Sequence, residues 1–369
     1  MSQAKAEGAS VRGACAALEV MLRDHEAVRL MEICGTHTVS LFRTGLRSLL
    51  PAKIKLISGP GCPVCVTPSS YIDHACALAL RPQTVVCTYG DMVRVPGSGD
   101  SLAHSRAKGG QVMVVYSAMD ALALARENPG LEVVFLAVGF ETSAPATALT
   151  LLQAQRQGVG NFSVLLGHKV VVPALRALLG LGRSGIDAFI CPGHVSVIIG
   201  LEAYGEIVRD FGRSCVVAGF EPRSMVEAIT RLVQAVLRGE AVLENAYGVA
   251  VRAEGNRRAL AVLEQVFVPA TVGWRALGSI PESGLALAES YADFDAMRRF
   301  ALPVIADVEA PGCRCGEVIQ GLIEPPACPR FGRPCTPGTP IGPCMVSSEG
   351  TCAAWYKYGV AHGADGAGR

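Results

Sequence analysis

Short apolar runs rich in valine and isoleucine recur along the chain, each followed by a glycine-containing turn and then by helical spacing. A strand that is apolar on both faces has to be covered on both faces, and crossover helices supply the cover, so this alternation dictates parallel α/β sheets. The spacing predicts strands over Arg29 to Ile33, Ile54 to Ser58, Thr84 to Thr88, Val112 to Tyr116, Val133 to Val138, Ser163 to Leu166, Ala188 to Cys191 and Ser214 to Ala218. The helices carry start signals. Ser224 stands three before Glu227 as a capping box, ahead of one stripe of Val226, Ile229, Val233, Val236 and Leu237, and Ser117 with Asp120 similarly opens the helix of DALALARE.

A chain of 369 residues exceeds what one core holds. The expected division is an α/β lobe over residues 27–131 with the CGTHT and GPGCPVC motifs, a second lobe over 132–240, and a helical and cysteine-rich region over 241–369 on which an N-terminal helix packs. VVFLAVGFETSAPA echoes SCVVAGFEPRSMVEA, and GHKVVVPA echoes GHVSVIIG. Internal duplication and shared turn chemistry between separate βα units both account for such echoes.

Lysine plus arginine number 33 against 32 for aspartate plus glutamate, and no basic run is interleaved with aromatics, so nucleic-acid binding is not expected. Mean hydropathy is positive at +0.35, yet no uninterrupted apolar segment reaches the roughly 18 residues of a membrane span. The first residues lack a basic stretch followed by an apolar core and a small-residue cleavage site, so a reducing cytoplasm is the expected location. There, thiols are expected as metal ligands and redox groups rather than as staples.

Six of the 14 cysteines fall between Cys313 and Cys352, and eight prolines fall between Pro311 and Pro343, where no strand or helix period survives. Such a segment buries too little apolar surface to order itself, so a metal cluster or cross-links are expected to hold it. Zinc knuckles present paired Cys-x-x-Cys, which is absent here. Irregular spacing with prolines after Cys328 and near Cys335 favours a 4Fe-4S cluster over zinc. Four thiolates suffice, so two of Cys313, Cys315, Cys328, Cys335, Cys344 and Cys352 are surplus, either as an exchangeable thiol pair or as packing.

Two further constellations lie earlier. In CGTHT, Cys34 stands where a strand ends and a helix begins, among backbone N–H groups that favour a thiolate, and His37 is close enough to be a second ligand or proton carrier. In GPGCPVC, Cys62 and Cys65 precede a helix beginning near Ser69. A Cys-x-x-Cys at a helix start lowers the pKa of its first thiol and lets the second resolve a mixed disulfide. Asp91, Glu141, His168, His194 and Glu221 each follow a strand. They either line a cleft between the lobes or satisfy turn backbone. Cys15, Cys76, Cys87, Cys191 and Cys215 read as packing.

CGTHT, GPGCPVC and CPRFGRPCTPGTPIGPCMVSSEGTCAAWYKYG in this order, with YGDM, GFET and GHVSVIIG between, closely resemble the HypD family of nickel-iron hydrogenase maturation proteins, from about Glu32 to Gly359. The resemblance implies a scaffold on which the hydrogenase iron acquires two cyanides and one carbon monoxide. It implies a small HypC-like chaperone sharing that iron, a HypE-like protein delivering cyanide, and the hydrogenase large subunit as the indirect recipient. Cys34 would ligate the nascent iron with His37 nearby, a soft thiolate suiting low-spin iron, and Cys62 and Cys65 would supply local redox capacity. The cluster region is also similar to ferredoxin-thioredoxin reductase. That likeness implies Cys313, Cys328, Cys335 and Cys352 as cluster ligands and Cys315 with Cys344 as the exchangeable pair. Where the family often has a second histidine directly after CGTHT, this chain has Val39. The alternatives are a disulfide oxidoreductase whose cluster reduces Cys62 and Cys65, and a zinc-stabilised α/β enzyme.

Overall fold

In the computed structural model, which describes residues 2–182 and 185–359, the apolar runs are strands: β1 (Val28–Glu32), β2 (Ile54–Ser58), β3 (Thr84–Thr88), β4 (Val112–Val114), β5 (Glu132–Gly139), β6 (Phe162–His168), β7 (Ala188–Pro192) and β8 (Ser214–Ala218). The expected bounds hold at β2, β3 and β8 and move by one or two residues elsewhere. Three further strands follow: β9 (Leu243–Asn245), β10 (Phe267–Trp274) and β11 (Gly278–Leu287).

Two all-parallel sheets result, one five-stranded in the order β2-β1-β7-β8-β9 and one four-stranded in the order β4-β3-β5-β6. Sheet membership therefore crosses the expected boundary at residues 131 and 132. β3 and β4 pair with β5 and β6, while β1 and β2 pair with β7 and β8. Each sheet winds outward on one side of its first strand and returns to that strand's other side. The crevices at the carboxyl ends of β1 and β7, and of β3 and β5, are thus topological switch points, where open α/β sheets bind ligands. The echoing motifs sit at non-equivalent places in the two windings: β5 is third in its sheet and β8 fourth, and the order is swapped for β6 and β7. Shared turn chemistry explains those echoes.

The Ser117 capping box forms as expected, its side chain and that of Asp120 each bonding the other's backbone. The Ser224 box does not. That helix begins at Pro222, a residue already set for the first helical position, and Ser224 Oγ instead accepts from Gly219 N and donates to Ala246 O. The stripe of Val226, Ile229 and Val233 is buried, and the N-terminal helix packs there through Val11, Cys15, Leu18 and Leu22 rather than on the cysteine-rich region. Its apolar positions recur at helical spacing and match the second stripe.

Residues 241–369 were expected to be helical and cysteine-rich, but β10 and β11 form an antiparallel hairpin within them. Pro269, Gly273, Pro281 and Gly284 interrupt the strand pattern, and the ladder takes a bulge between Ala270 and Val272 to accommodate them. Beyond Leu302 short helices do occur, at Cys315–Ile319, Pro343–Val346 and Thr351–Tyr358. The last is ordered by docking on helix Gly35–Arg43, where Trp355 meets Phe42 edge-on with ring centroids 5.3 Å apart. No helix among the described residues is long and apolar enough to cross a membrane.

Candidate metal and thiol site

The chain turns directly from β1 into helix Gly35–Arg43, and Cys34 holds the N-cap position in an extended conformation without capping the helix through its side chain. The GPGC loop lies against this turn. Gly59 N donates to Glu32 O and Gly35 N donates to Gly61 O, and a Cβ at Gly61 would stand 2.3 Å from Cys34 N. Glycine is thus required for the second motif to touch the first.

Cys34 is 8% exposed, and its thiol does not follow the expectation of a thiolate. Burial pushes its pKa up to about 12, outweighing the N–H groups of Thr36 and His37 that favour the charged form. His37 is fully buried, which lowers its pKa to about 4. Its Nε2 lies 3.2 Å from the Ala218 carbonyl and so carries the hydrogen, leaving Nδ1 as a buried acceptor with no hydrogen-bond partner among the described residues.

Cys62 and Cys65 lie in a turn ahead of helix Ser69–Ala79, not at its first residue. Cys65 N donates to Cys62 Sγ at 3.3 Å. The order of acidity is the reverse of that expected from a helix start. Burial raises Cys62 well above the usual thiol value, while at Cys65 hydrogen bonds from Cys344 and Cys62 overcome burial and lower it to about 6. Sulfur contacts set the low value here, not a helix dipole. The loop is buttressed by the hairpin, since Arg275 donates to the carbonyls of Thr67 and Pro96.

Cys65 therefore reaches the C-terminal segment, where Cys313, Cys315, Cys328, Cys335, Cys344 and Cys352 line one cavity with Val318, Phe331 and Met345. Cys315 Sγ and Cys344 Sγ, both free thiols, are in hydrogen-bond contact at 2.7 Å. Cys344 also bonds Cys352, and Ile341 N donates to Cys335 Sγ. Among the described residues no three such side chains converge on a single ion. A four-iron cluster is held by four thiolates distributed around it, so a ring of thiols about a cavity fits its donor requirement.

Both sheets grip this segment. Thr36 Oγ1 donates to Glu349 Oε1 at 2.7 Å, and Asp91, after β3, accepts from Ser347 Oγ and Ser348 N at 3.1 and 3.2 Å. A Cβ on Gly35 would strike the Glu349 carbonyl at 2.4 Å. Three motifs remote in sequence thus meet around Cys34, Cys65 and Cys344. Glu349, Thr36 and Arg275 are the parts of this assembly that sequence reasoning missed. The only local sign was the polar run SSEG between Cys344 and Cys352.

The remaining candidates follow or end other strands, β5 to β8. Glu141 and His168 are buried at the carboxyl end of the second sheet. Glu141 accepts from Val171 N at 2.8 Å, and His168 Nε2 lies 2.9 Å from Thr147 Oγ1. Burial raises the Glu141 pKa to about 7 and lowers that of His168 to about 4. Exposed His194 stacks on Phe220 at 4.0 Å, and Phe220 in turn faces His37 at 5.0 Å. Glu221 stands at the N-cap position of its helix without a side-chain cap, and its Oε2 accepts from Phe220 N.

A family model described as HypD, "Hydrogenase formation hypA family", matches residues 9–359. The "Hydrogenase expression/formation protein HupD" of Azotobacter chroococcum mcd 1 is 47% identical over 360 residues, spanning 96% of this chain and 95% of its own length. The "Hydrogenase maturation factor HypD" of Escherichia coli K12 is 46% identical over 332 residues, with 90% and 89% covered, and that of Cupriavidus necator is 44% identical over 345 residues, with 91% of each covered. With a match over nearly its whole length and relatives at such identity, the chain belongs to the HypD family.

Proposed function

We propose that this protein acts in hydrogenase maturation as a scaffold that holds an iron ion at Cys34 while cyanide and carbon monoxide are attached to it. The observation that carries the reading is the convergence of Cys34, the Cys62–Cys65 turn and the Cys315–Cys344 pair. An iron cargo needs a soft ligand and a nearby source of electrons, and these are the groups brought together. The Cys34 thiol is neutral when empty, so iron binding displaces its proton. His37 Nδ1, an acceptor with no hydrogen-bond partner among the described residues, adds a second bond to the iron.

Cys313, Cys328, Cys335 and Cys352 would hold a 4Fe-4S cluster, which when bound supplies one-electron reducing capacity. The N–H bond to Cys335 Sγ is the kind of support a ligand sulfur receives. Cys315 and Cys344 would form the exchangeable pair: the Cys344 thiolate attacks a Cys62–Cys65 disulfide at Cys65 and releases the Cys62 thiolate, and Cys315 then displaces Cys65 to close a Cys315–Cys344 disulfide. A HypC-like small protein is the proposed partner at the Cys34 face, with a HypE-like protein delivering cyanide to the same iron. One observation favours a second reading as a disulfide oxidoreductase: the Cys65 thiol is in hydrogen-bond contact with that of Cys344.

Infrared spectroscopy of the chain purified anaerobically with its small partner separates the two. Cyanide and carbon monoxide stretching bands that vanish in Cys34→Ala are expected. Their absence from the wild-type complex would leave the oxidoreductase.

A further inference from the structure

Cys62, Ser347 and Asp91 form a hydrogen-bonded row from the interior to solvent. Cys62 is only 5% exposed, so its thiol does not exchange a proton with water directly. Cys65 N donates to Cys62 Sγ at 3.3 Å, and the Ser347 hydroxyl is in hydrogen-bond contact with the same thiol. Ser347 is itself buried. It donates to Asp91 Oδ2 at 3.1 Å, and Glu349 N donates to Ser347 Oγ at 3.2 Å. A hydroxyl has one hydrogen and two lone pairs. Asp91 takes the hydrogen and the Glu349 N–H takes one lone pair, which leaves the other for the Cys62 S–H. Asp91, held by a second bond from Ser348 N, is half-buried and reaches solvent.

Each member comes from a different part of the fold. Cys62 lies in the loop after β2 of the first sheet, Asp91 in the turn Gly90–Arg94 after β3 of the second, and Ser347 at the end of helix Pro343–Val346, three positions beyond Cys344. Positions three apart on a helical turn are neighbours on one face. The turn that brings Cys344 to Cys65 therefore also brings Ser347 to Cys62. Glu349, the other carboxylate close by, is turned to Thr36 Oγ1 and meets Ser347 through its backbone N–H. Asp91 is the carboxylate bonded to the Ser347 hydroxyl.

We propose that Ser347 and Asp91 are the proton relay of the Cys62 thiol. The proposal rests on the thiol–disulfide exchange proposed above and adds the acid that this exchange needs. When Cys344 attacks the Cys62–Cys65 disulfide at Cys65, the S–S bond breaks and Cys62 leaves with the electron pair. The Ser347 proton passes to Cys62 Sγ as the proton of the Asp91 carboxylic acid passes to Ser347 Oγ. Asp91 is left as a carboxylate and takes a proton back from water. In reverse, the same row removes the Cys62 proton before the disulfide closes. Burial favours the neutral thiol at Cys62, so without a donor the leaving sulfur stays a buried anion and falls back on Cys65. Ser347 touches the reacting sulfur and is a catalytic residue, whereas Asp91 acts through it.

The test is the rate at which the Cys62 thiol is released in the full-length chain, purified anaerobically and oxidised at Cys62 and Cys65 with glutathione disulfide. Excess dithiothreitol starts the reaction, acid stops it at intervals, and alkylation with peptide mass spectrometry reads each cysteine. Whichever thiol attacks Cys65, Cys62 is the sulfur that leaves. Near neutral pH, Ser347→Ala and Asp91→Asn should release Cys62 about a hundredfold more slowly than wild type, the lower end of what a general acid supplies. Asparagine keeps an oxygen for Ser347 Oγ and Ser348 N, so a purely structural role survives Asp91→Asn while proton transfer does not. Asp91→Glu should recover most of the wild-type rate. Deuterium oxide should slow the wild type and leave Asp91→Asn unaffected. A wild-type rate in Ser347→Ala or in Asp91→Asn, or Asp91→Glu as slow as Asp91→Asn, overturns the relay alone. A wild-type chain in which glutathione disulfide never closes Cys62 on Cys65 overturns the exchange beneath it, and the relay with it.

Discussion

Gly61→Ala tests whether contact between the two N-terminal motifs matters for function. A Cβ at position 61 would lie 2.3 Å from Cys34 N, 2.5 Å from the Ile33 carbonyl carbon and 2.6 Å from Cys34 Cα. All three are backbone atoms at the end of a buried strand, so no side chain can swing away. Relief to ordinary contact requires the GPGC loop to retreat by about 1 Å, at a cost of about 1–3 kcal/mol for overpacking. In a chain of this size, with about 2.1 cal/mol/K of unfolding entropy per residue, that lowers the melting temperature by only about 1–4 °C, without preventing folding. Function should suffer far more, because Cys62 and Cys65 are carried away from Cys34, and a displacement of about 1 Å can cost on the order of a hundredfold in rate. Thermal unfolding read beside the infrared bands of the complex, and beside hydrogenase activation in cells, measures the two effects separately. Gly160→Ala, where nothing lies within 4 Å of the added carbon, is the control and should match wild type in both. If Gly61→Ala keeps wild-type bands and activation, the contact is incidental and the argument from convergence fails.

The remaining predictions concern stability. Glu141 has its pKa raised from 4.5 to about 7, so its contribution is intact below about pH 4.5 and lost as pH rises through about 7. Chemical denaturation of Glu141→Gln should show the variant gaining on wild type by about 3 kcal/mol between about pH 4.5 and about pH 9, whereas a pH-independent gap would refute the assignment. Arg47 packs its guanidinium 4.9 Å from the Trp355 ring and 5.2 Å from Phe42, donates to Leu56 O, and pairs with Glu324. Arg47→Ala should cost about 1–3 kcal/mol and speed limited proteolysis between residues 311 and 359, leaving the sheets intact; unchanged cleavage would show that the pin is not Arg47.

The alternation of apolar runs with helical spacing was enough to read eight of the nine parallel strands, all but the short edge strand β9, because strand and helix preferences act within a few residues. The identities of the chemical groups were legible for the same reason. CGTHT, GPGCPVC and the six late cysteines each announce a soft, thiol-rich site from their own spacing. Which strands share a sheet was not legible, since β3 pairs with β5 or with β1 according to how whole faces are buried, not according to any local signal. Nor was the hairpin, whose prolines and glycines argue against strands until Trp274 and Arg275 find their places against the rest of the chain. The acidity of the thiols was misread at both N-terminal motifs. A helix terminus is visible in sequence, but the burial that raises Cys34 and the neighbouring sulfur that lowers Cys65 exist only once distant segments meet. The bond from Thr36 to Glu349 spans 313 positions, and the Cys65–Cys344 contact is of the same kind. Sequence by itself determined which thiols and imidazoles each local turn carries. Tertiary structure alone decided that they face one another, because closing so long a loop repays its entropy only through the packing of the complete fold.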